Sequence, residues 1–428
     1  MKLFKLLLQA QAGIALLAPI TAVKANEVNL KDISNYSRKE IDVNIKSFGN
    51  YSTINPLLAG GEGMSHDHSG FSSDSFSSTT TMSGSASFTI GSIDNDEVND
   101  PNQTDTITGQ YSYNIDLNTS FNGEDNLYVG LIAGNGLDTG LHLESTNIST
   151  EDEITVDSIF YSFSLGNWDW AIGPKLDQND LVATTTTKYS DSFYLGGVYP
   201  SNIWTLPGLT GAGFAVAREF DNGFNFGANL ISLESHTSDG MLTNEGADVK
   251  TIMGGYNSER FGAGLIHTQY DDIFDVGDET AANILNSYGI GNLELATTEI
   301  GFYFKPIEKL TANIGTSFVD ANIGIDSETF NDYSFSLDYE INENNTISAA
   351  LVSMYFLNTN GQADYLGDVY ELYLTRKLSD SISIRAGVES QNSNYDEGNG
   401  TTISNGGTAD DWVLFNQTVY ALETTFRF

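Results

Sequence analysis

The stretch Gln417–Phe428, QTVYALETTFRF, decides how the rest of the chain is read. At period two, Thr418, Tyr420, Leu422, Thr424, Phe426 and Phe428 share one face, and Val419, Ala421, Glu423, Thr425 and Arg427 share the other. Successive side chains of a strand point to opposite sides, so this is one strand with an apolar, aromatic-rimmed face. Such a strand, ending on an aromatic carboxy terminus, closes a transmembrane β-barrel. It would serve equally as the edge of a soluble sandwich, and the remaining sequence has to separate the two.

From Ala86 onward the alternation recurs. In Thr108–Phe121, for example, Tyr111, Tyr113, Ile115, Leu117, Thr119 and Phe121 alternate with Ser112, Asn114, Asp116, Asn118 and Ser120. Sixteen such stretches run from Ala86–Ile93 to Gln417–Phe428, an even number, as in single-chain bacterial barrels. Tight connections such as Asn122–Asp125, Gly166-Asn167 and Asp221–Gly223 are built from turn-forming residues. They alternate with long ones: Asp94–Ile107, Gly134–Glu153, Leu176–Gly211, Glu234–Ala247, Asp271–Asn292, Asp320–Asn331, Phe356–Leu366 and Ser390–Asn416. The expected fold is therefore all-β, a transmembrane antiparallel barrel of 16 strands with short periplasmic turns and long extracellular loops. Alternation alone does not say which face points inward. The absence of a second apolar layer favours Tyr333, Phe335, Leu337 and Tyr339 facing lipid and Ser334, Ser336, Asp338 and Glu340 facing water.

The amino terminus agrees with export. Lys2 and Lys5, an apolar Leu6–Ile20 and the small-residue site Val23-Lys24-Ala25 make residues 1–25 a signal peptide. No later segment is apolar and long enough to be a spanning helix, so a membrane location requires a closed barrel. Residues 26–85 read as a periplasmic segment and flexible linker, Ser-, Thr- and Gly-rich after Gly60, and 86–428 as the barrel. Within the linker, His66-Asp67-His68 lacks the further ligands a metal site needs. Cleavage after Ala25 removes three lysines and moves the net charge from -39 to -42, which disfavours nucleic acid as a partner. With no cysteine there is no disulfide framework and no thiol chemistry.

Three stretches carry a family resemblance: Phe76–Ser92 (FSSTTTMSGSASFTIGS), Ile115–Gly134 (IDLNTSFNGEDNLYVGLIAG) and Tyr161–Ser190 (YSFSLGNWDWAIGPKLDQNDLVATTTTKYS). They resemble the first strand, first tight hairpin and second short turn of cyanobacterial outer-membrane porins, a carbohydrate-porin-like and iron-uptake-porin-like family. The resemblance implies an outer-membrane channel passing ions, iron species or sugars. It also implies delivery by the barrel-assembly machinery, with Phe428 read as the assembly signal. A homotrimer is usual for the architecture. Two features depart from the family. Asn26–Phe76 is too short for the usual surface-layer-homology domain and coiled coil, and Gly130 and Ile132 stand where members often carry arginines.

The longest connection, Leu176–Gly211, is the third long loop, which in sixteen-stranded porins folds inward and sets the constriction. Its expected pore-lining residues are Asp177, Asp180, Lys188, Asp191 and Tyr194, with Tyr199 and Trp204 nearby. On the face assigned inward, Asp116, Asp169, Glu219, Glu299, Asp338, Glu340, Glu371, Glu389 and Glu423 outnumber Lys175, Lys305, Lys377, Arg385 and Arg427, which biases a pore toward cations. No nucleophile elbow or zinc motif accompanies the five histidines, so neither an enzyme nor a cofactor is expected. A barrel hydrolase and a non-conducting adhesive barrel are the alternative classes.

Overall fold

A strand's N–H and C=O groups point sideways, half toward each edge, and need a neighbour on both. Sixteen strands satisfy this requirement here by forming a ring. The computed structural model describes residues 79–95, 107–136, 144–146, 148, 150, 152–189, 205–206, 209–237, 240–243, 246–271, 293–323, 326–357, 363–393 and 417–428. The expected signal peptide and nearly all of the 26–85 segment lie outside these residues. The strands are β1 (Thr80–Asn95), β2 (Ile107–Thr119), β3 (Asp125–Gly134), β4 (Thr155–Leu165), β5 (Trp168–Asp177), β6 (Thr210–Glu219), β7 (Phe224–Ser232) and β8 (Asp248–Asn257). They continue with β9 (Phe261–Asp271), β10 (Leu293–Ile307), β11 (Leu310–Ile323), β12 (Asp326–Asn342), β13 (Asn345–Leu357), β14 (Ala363–Ser379), β15 (Ile382–Ser393) and β16 (Gln417–Arg427). Each pairs antiparallel with its sequence neighbours, and β16 pairs with β1 to close the barrel.

The closing seam runs from Ser85↔Arg427 to Asn95↔Gln417. Past the end of β16, Gly84 N–H donates to the Phe428 carbonyl at 3.0 Å and Phe428 N–H to the Gly84 carbonyl at 3.1 Å. The Phe428 ring lies over Gly84, where a Cβ would stand 2.7 Å from its Cζ, and stacks on Tyr113 at 5.9 Å. Glycine is required there because the Asn114 carbonyl oxygen, 2.3 Å from that Cβ position, and the terminal ring together occupy the space.

Burial labels the faces. Phe88, Ile90, Ile300, Phe302, Ile314, Phe335, Leu372 and Leu422 keep 40% to 58% of their surface open, whereas Thr297, Ser317, Ser348 and Glu423 keep 2% or less. The barrel is apolar outside and polar inside, the inverse of a soluble barrel and the arrangement a lipid surround demands. Aromatic groups rim the outer face at both ends. Trp168, Phe226, Phe224, Tyr256 and Phe261 contact one another in pairs near the short turns, and Tyr333, Tyr355 and Tyr365 do so toward the long loops. The first short turn is organised by Asp125, whose Oδ1 accepts from Phe121 N–H at 2.8 Å and Asn122 N–H at 3.1 Å.

Several strands run past their expected ends toward the long loops, β14 from Ala363 instead of Gly367 and β15 to Ser393 instead of Glu389 among them, and two differences are larger. Strand β1 begins at Thr80, ahead of Ala86, because Thr80–Thr81 already pair with Asn118–Thr119. The expected long connection Asp320–Asn331 is instead mostly ladder, with Ile323 paired to Asp326. That interval holds no proline and a single glycine, Gly324, so little in it interrupts pairing.

Replacing Phe428 with Asp sets a charge on the outward face, at a depth-dependent cost of up to about 2–4 kcal/mol. The expected result is loss of the heat-modifiable folded band on gels, while Phe428→Trp retains it. Normal levels of folded Phe428→Asp barrel would show that the terminal ring is dispensable.

Candidate functional site

The inner wall is shaped first by what it lacks. Gly255, Gly264, Gly301 and Gly315 are Cα partners across β8, β9, β10 and β11, forming one row around the lumen. A Cβ at Gly264 would stand 2.8 Å from the Thr185 carbonyl oxygen, and one at Gly301 would stand 2.1 Å from that of Thr186. The third loop lies in the trough these glycines leave.

Its base is an apolar and amide anchor. Gln178, fully buried, donates from Nε2 to the Thr205 carbonyl and to Thr251 Oγ1, each at 3.0 Å, and its own carbonyl accepts from Asn229 Nδ2 at 2.8 Å. Beneath it, Leu176, Ile231, Val249, Tyr270 and Val319 form an apolar cluster on the inner wall, joined by Leu181 and Leu209 of the loop. Val182 and Leu206 pack on Met253 and Ile266 in the same way. The returning limb is held at Thr205, whose carbonyl also accepts from Thr268 Oγ1 at 2.7 Å.

Beyond this base the loop crosses the barrel. Thr184 Oγ1 donates to Asn225 Oδ1 of β7 at 2.7 Å, Lys188 N–H to Asn313 Oδ1 of β11 at 2.8 Å, and Tyr189 OH to Glu371 Oε1 of β14 at 2.8 Å. Nine residues, Leu181–Tyr189, can span roughly 30 Å when extended, enough to reach from β5 to β14. Burial, then the nearby Glu371 carboxylate, holds the Tyr189 hydroxyl far above its ordinary range, so it remains a donor.

The expected pore-lining residues separate into groups. Lys188 is exposed, its Nζ 4.3 Å over the Tyr303 ring, and half-buried Asp116 accepts from Tyr128 OH at 2.7 Å. Asp177 and Asp180 work at the base of the loop. Asp180 Oδ2 accepts from Asp177 N–H at 2.7 Å, and Asp177 Oδ1 accepts from Asn179 N–H at 2.6 Å, so both carboxylates shape the turn that launches the loop. Burial pushes the Asp180 carboxyl up to about 7, with the Asp177 and Asp157 charges adding to it.

Five acids expected on the open lumen are buried, Glu299, Asp338, Glu371, Glu389 and Glu423. Asp338 accepts from Ser348 Oγ at 2.6 Å, Glu371 is taken by Tyr189, and Glu423 by Arg385 Nε at 2.9 Å. Glu340 is exposed, and its N–H bonds the Lys309 carbonyl of the β10–β11 turn, which makes it a rim charge rather than a constriction residue. A register shift in β5 sets Lys175 opposite outward-facing Ile159, which removes it from the inner set. Asp191 and Tyr194, with Tyr199 and Trp204, lie outside the described residues.

Sequence reasoning passed over the second long connection. Its one-turn 3₁₀ segment Glu144–Thr146 sits against the inner wall. Ser145 donates to Glu423, Thr146 Oγ1 donates to Gln110 Oε1 at 3.0 Å, and Gln110 Nε2 donates to the Gly136 carbonyl at 2.6 Å. Gly255, Gly264, Gly301 and Gly315, one in each of four consecutive strands, were the visible signal for the third loop's seat. A Gly134–Glu153 loop with neutral Ser and Thr contacts offered none.

No protein-family model matches the chain, and no curated protein sequence matches it. Solved structures do match. A loop L8 deletion mutant of OmpT, an outer membrane protein of Vibrio cholerae, superposes with a TM-score of 0.57 at 11% identity, over 82% of this chain and 99% of that one. OmpT expressed in the outer membrane gives 0.55 at 10% identity, with the same coverage of each chain. The anion-selective porin from Comamonas acidovorans gives 0.54 at 11% identity, again over 82% and 99%. At such identity the likeness is one of fold. It defines the class as a sixteen-strand barrel of the outer-membrane type.

The glycine trough predicts a mutational effect. Gly301→Val places a side chain where the Thr186 carbonyl lies, so the loop should lift from the wall. Trypsin is expected to cut after Lys188 in the folded variant and to leave that bond intact in the folded wild type. Equal resistance would mean that the loop does not depend on the trough.

Proposed function

We propose that the protein is an outer-membrane porin that passes small hydrophilic solutes, inorganic ions foremost, by passive diffusion, and that it prefers cations. The observation that carries this reading is the third loop. Its described limb, Leu181–Tyr189, crosses the lumen from β5, bonding β7 and β11 on the way and ending at Glu371 of β14. Lys188 and the Asp116–Tyr128 pair remain on surfaces not sealed by it. A single extended limb laid across the lumen narrows a channel, and charges left at that level bias what passes.

Cation preference is supported by the composition, 57 acidic against 18 basic residues, and by Asp116 and Asp180 near the narrowing. The neighbour from Comamonas acidovorans is anion-selective, so the architecture serves either sign, and the side chains decide. The same reading places the short turns in the periplasm, the long loops outside, and the amino-terminal segment as a cleaved signal followed by a periplasmic stretch. It also takes the protein to be a non-enzyme, a homotrimer inserted by the barrel-assembly machinery, and kin to the cyanobacterial porins it resembles. The inward fold of the second long connection favours one other reading, a structural barrel with a closed lumen.

Planar-bilayer recording of the purified barrel tests these readings. Discrete conductance steps with a cation-positive reversal potential in a salt gradient are expected, and absence of conductance would select the closed barrel. Because the Debye length falls from about 10 Å at 0.1 M salt to about 3 Å at 1 M, the contribution of exposed acids should fade in concentrated salt. Selectivity should also depend on pH. The Asp180 carboxyl titrates near 7, so lowering the pH from 8 to 6 protonates it and removes negative charge, and cation preference should decline. Asp180→Asn should flatten that decline. An anion-selective wild-type channel would refute the preference.

Sidedness has its own check. A labelling tag in Glu234–Ala247 should react on intact cells, and one at Asn222 or Asn344 should react only after the outer membrane is opened. The reverse pattern would invert the orientation.

A further inference from the structure

Glu389 on β15 faces inward and is 1% exposed, and neither carboxylate oxygen has a partner at good hydrogen-bond geometry among the described residues, the Gln391 amide being the one polar neighbour that favours its charged form. An ionised carboxylate is among the costliest groups to bury without a partner. Across the ladder stands Glu371 of β14, its Cα partner, itself 3% exposed. Paired residues project to the same face with Cβ atoms about 4.5–5.5 Å apart, so two acids confront each other on a dry section of wall. Gln391, two residues along the same face, stands beside Glu389, and Val419 of β16 is its Cα partner on the other edge. The nearby basic groups are engaged elsewhere. Arg385 binds Glu423, and Lys188 lies over the Tyr303 ring.

We propose that Glu371 and Glu389, with the Gln391 amide turned to present its carbonyl oxygen, hold a calcium-type divalent cation on the inner wall beside Tyr189 of the third loop. The donor set is two carboxylates and a neutral amide oxygen, all hard ligands, and contains no imidazole or thiolate, so it suits an alkaline-earth ion rather than zinc. Calcium accepts six to eight oxygens at about 2.3–2.6 Å in flexible geometry, and water would complete the shell. Magnesium demands a tighter octahedron and sheds its water reluctantly. A divalent ion balances both acids at once. Tyr189 OH, bonded to Glu371 Oε1, orients that ligand and ties the far end of the loop to the site.

The probe is terbium(III), a luminescent stand-in for calcium, added to the folded full-length barrel in detergent after chelation. The Tyr189 and Tyr373 rings are 6.2 Å apart beside Glu371, so tyrosine excitation should sensitise a bound terbium ion. The expected signal saturates, is displaced by calcium, and is displaced by magnesium roughly tenfold less well. Glu389→Gln and Glu371→Gln should each weaken binding by at least about tenfold. Calcium should raise the unfolding temperature of the wild type and leave that of Glu389→Gln unchanged. In chelator, Glu389→Gln should be no less stable than the wild type, because it removes a buried charge. Three results would overturn the proposal: no saturable signal in the wild type, a signal unaltered in both variants, or wild-type stability indifferent to calcium, as a proton shared by the two acids would give. Each measurement reads binding or folding, so the outcome stands whether or not the barrel conducts.

Discussion

Everything in this molecule follows from the pairing of β16 with β1. A sheet with an open edge exposes a line of unmet N–H and C=O groups, which hydrocarbon cannot solvate, at several kcal/mol for each group. The seam from Ser85↔Arg427 to Asn95↔Gln417 removes that edge. Once the ring is closed, alternation has only one allowed sense: large apolar side chains outward, and small or hydrogen-bonded polar ones inward. Phe428 is part of the same device, since its backbone extends the ladder one step past β16 and its ring fills the space above Gly84.

Closure creates a second problem, a wide interior with no side chains large enough to fill it. The third loop answers it by burying apolar groups inside the barrel. Leu181, Val182, Leu206 and Leu209 of the loop meet Leu176, Met253, Ile266 and Val319 of the wall, so a small hydrophobic core exists on the face that is otherwise polar. Hydrogen bonds at Thr184, Lys188 and Tyr189, each worth about 1 kcal/mol net, then fix the loop's course. These three bonds fall on β7, β11 and β14, spacing the hold along the limb so that a segment without regular structure keeps a defined path.

Much of the fold could be read from the chain because period-two alternation is a local signal. Gln417–Phe428, Thr108–Phe121 and Asp332–Ile341 each declare two faces without reference to any other segment. Ends of strands were less legible. Ala321–Asp326 offers only Gly324 as a turn signal, and β10, whose Leu293 pairs with Ile323, supports the ladder that far. The site was legible only in outline. Loop length pointed to the third connection, yet its course depends on contacts such as Tyr189 with Glu371, 182 residues apart, and on glycines that line up only once the register is known. The inner acids were found but their state was not. Whether Asp338 or Glu423 faces an open lumen depends on Ser348 and Arg385, brought beside them by pairing, and on loops folded over them.

The second long connection leaves its mark at assembly. Ser145 reaches Glu423 on β16, while Thr146 reaches Thr89 on β1, at 3.3 Å, and Gln110 on β2. Thr89 is the Cα partner of both Glu423 and Gln110, so a short strap spans the first and last strands at a single height. Its anchor on β16 exists only after the carboxy-terminal strand has docked. A slip of one residue would swing Glu423 to the outer surface, leaving Ser145 with nothing to grip. The strap thus joins the two ends of the chain from within the barrel, in the register that the closing seam shows.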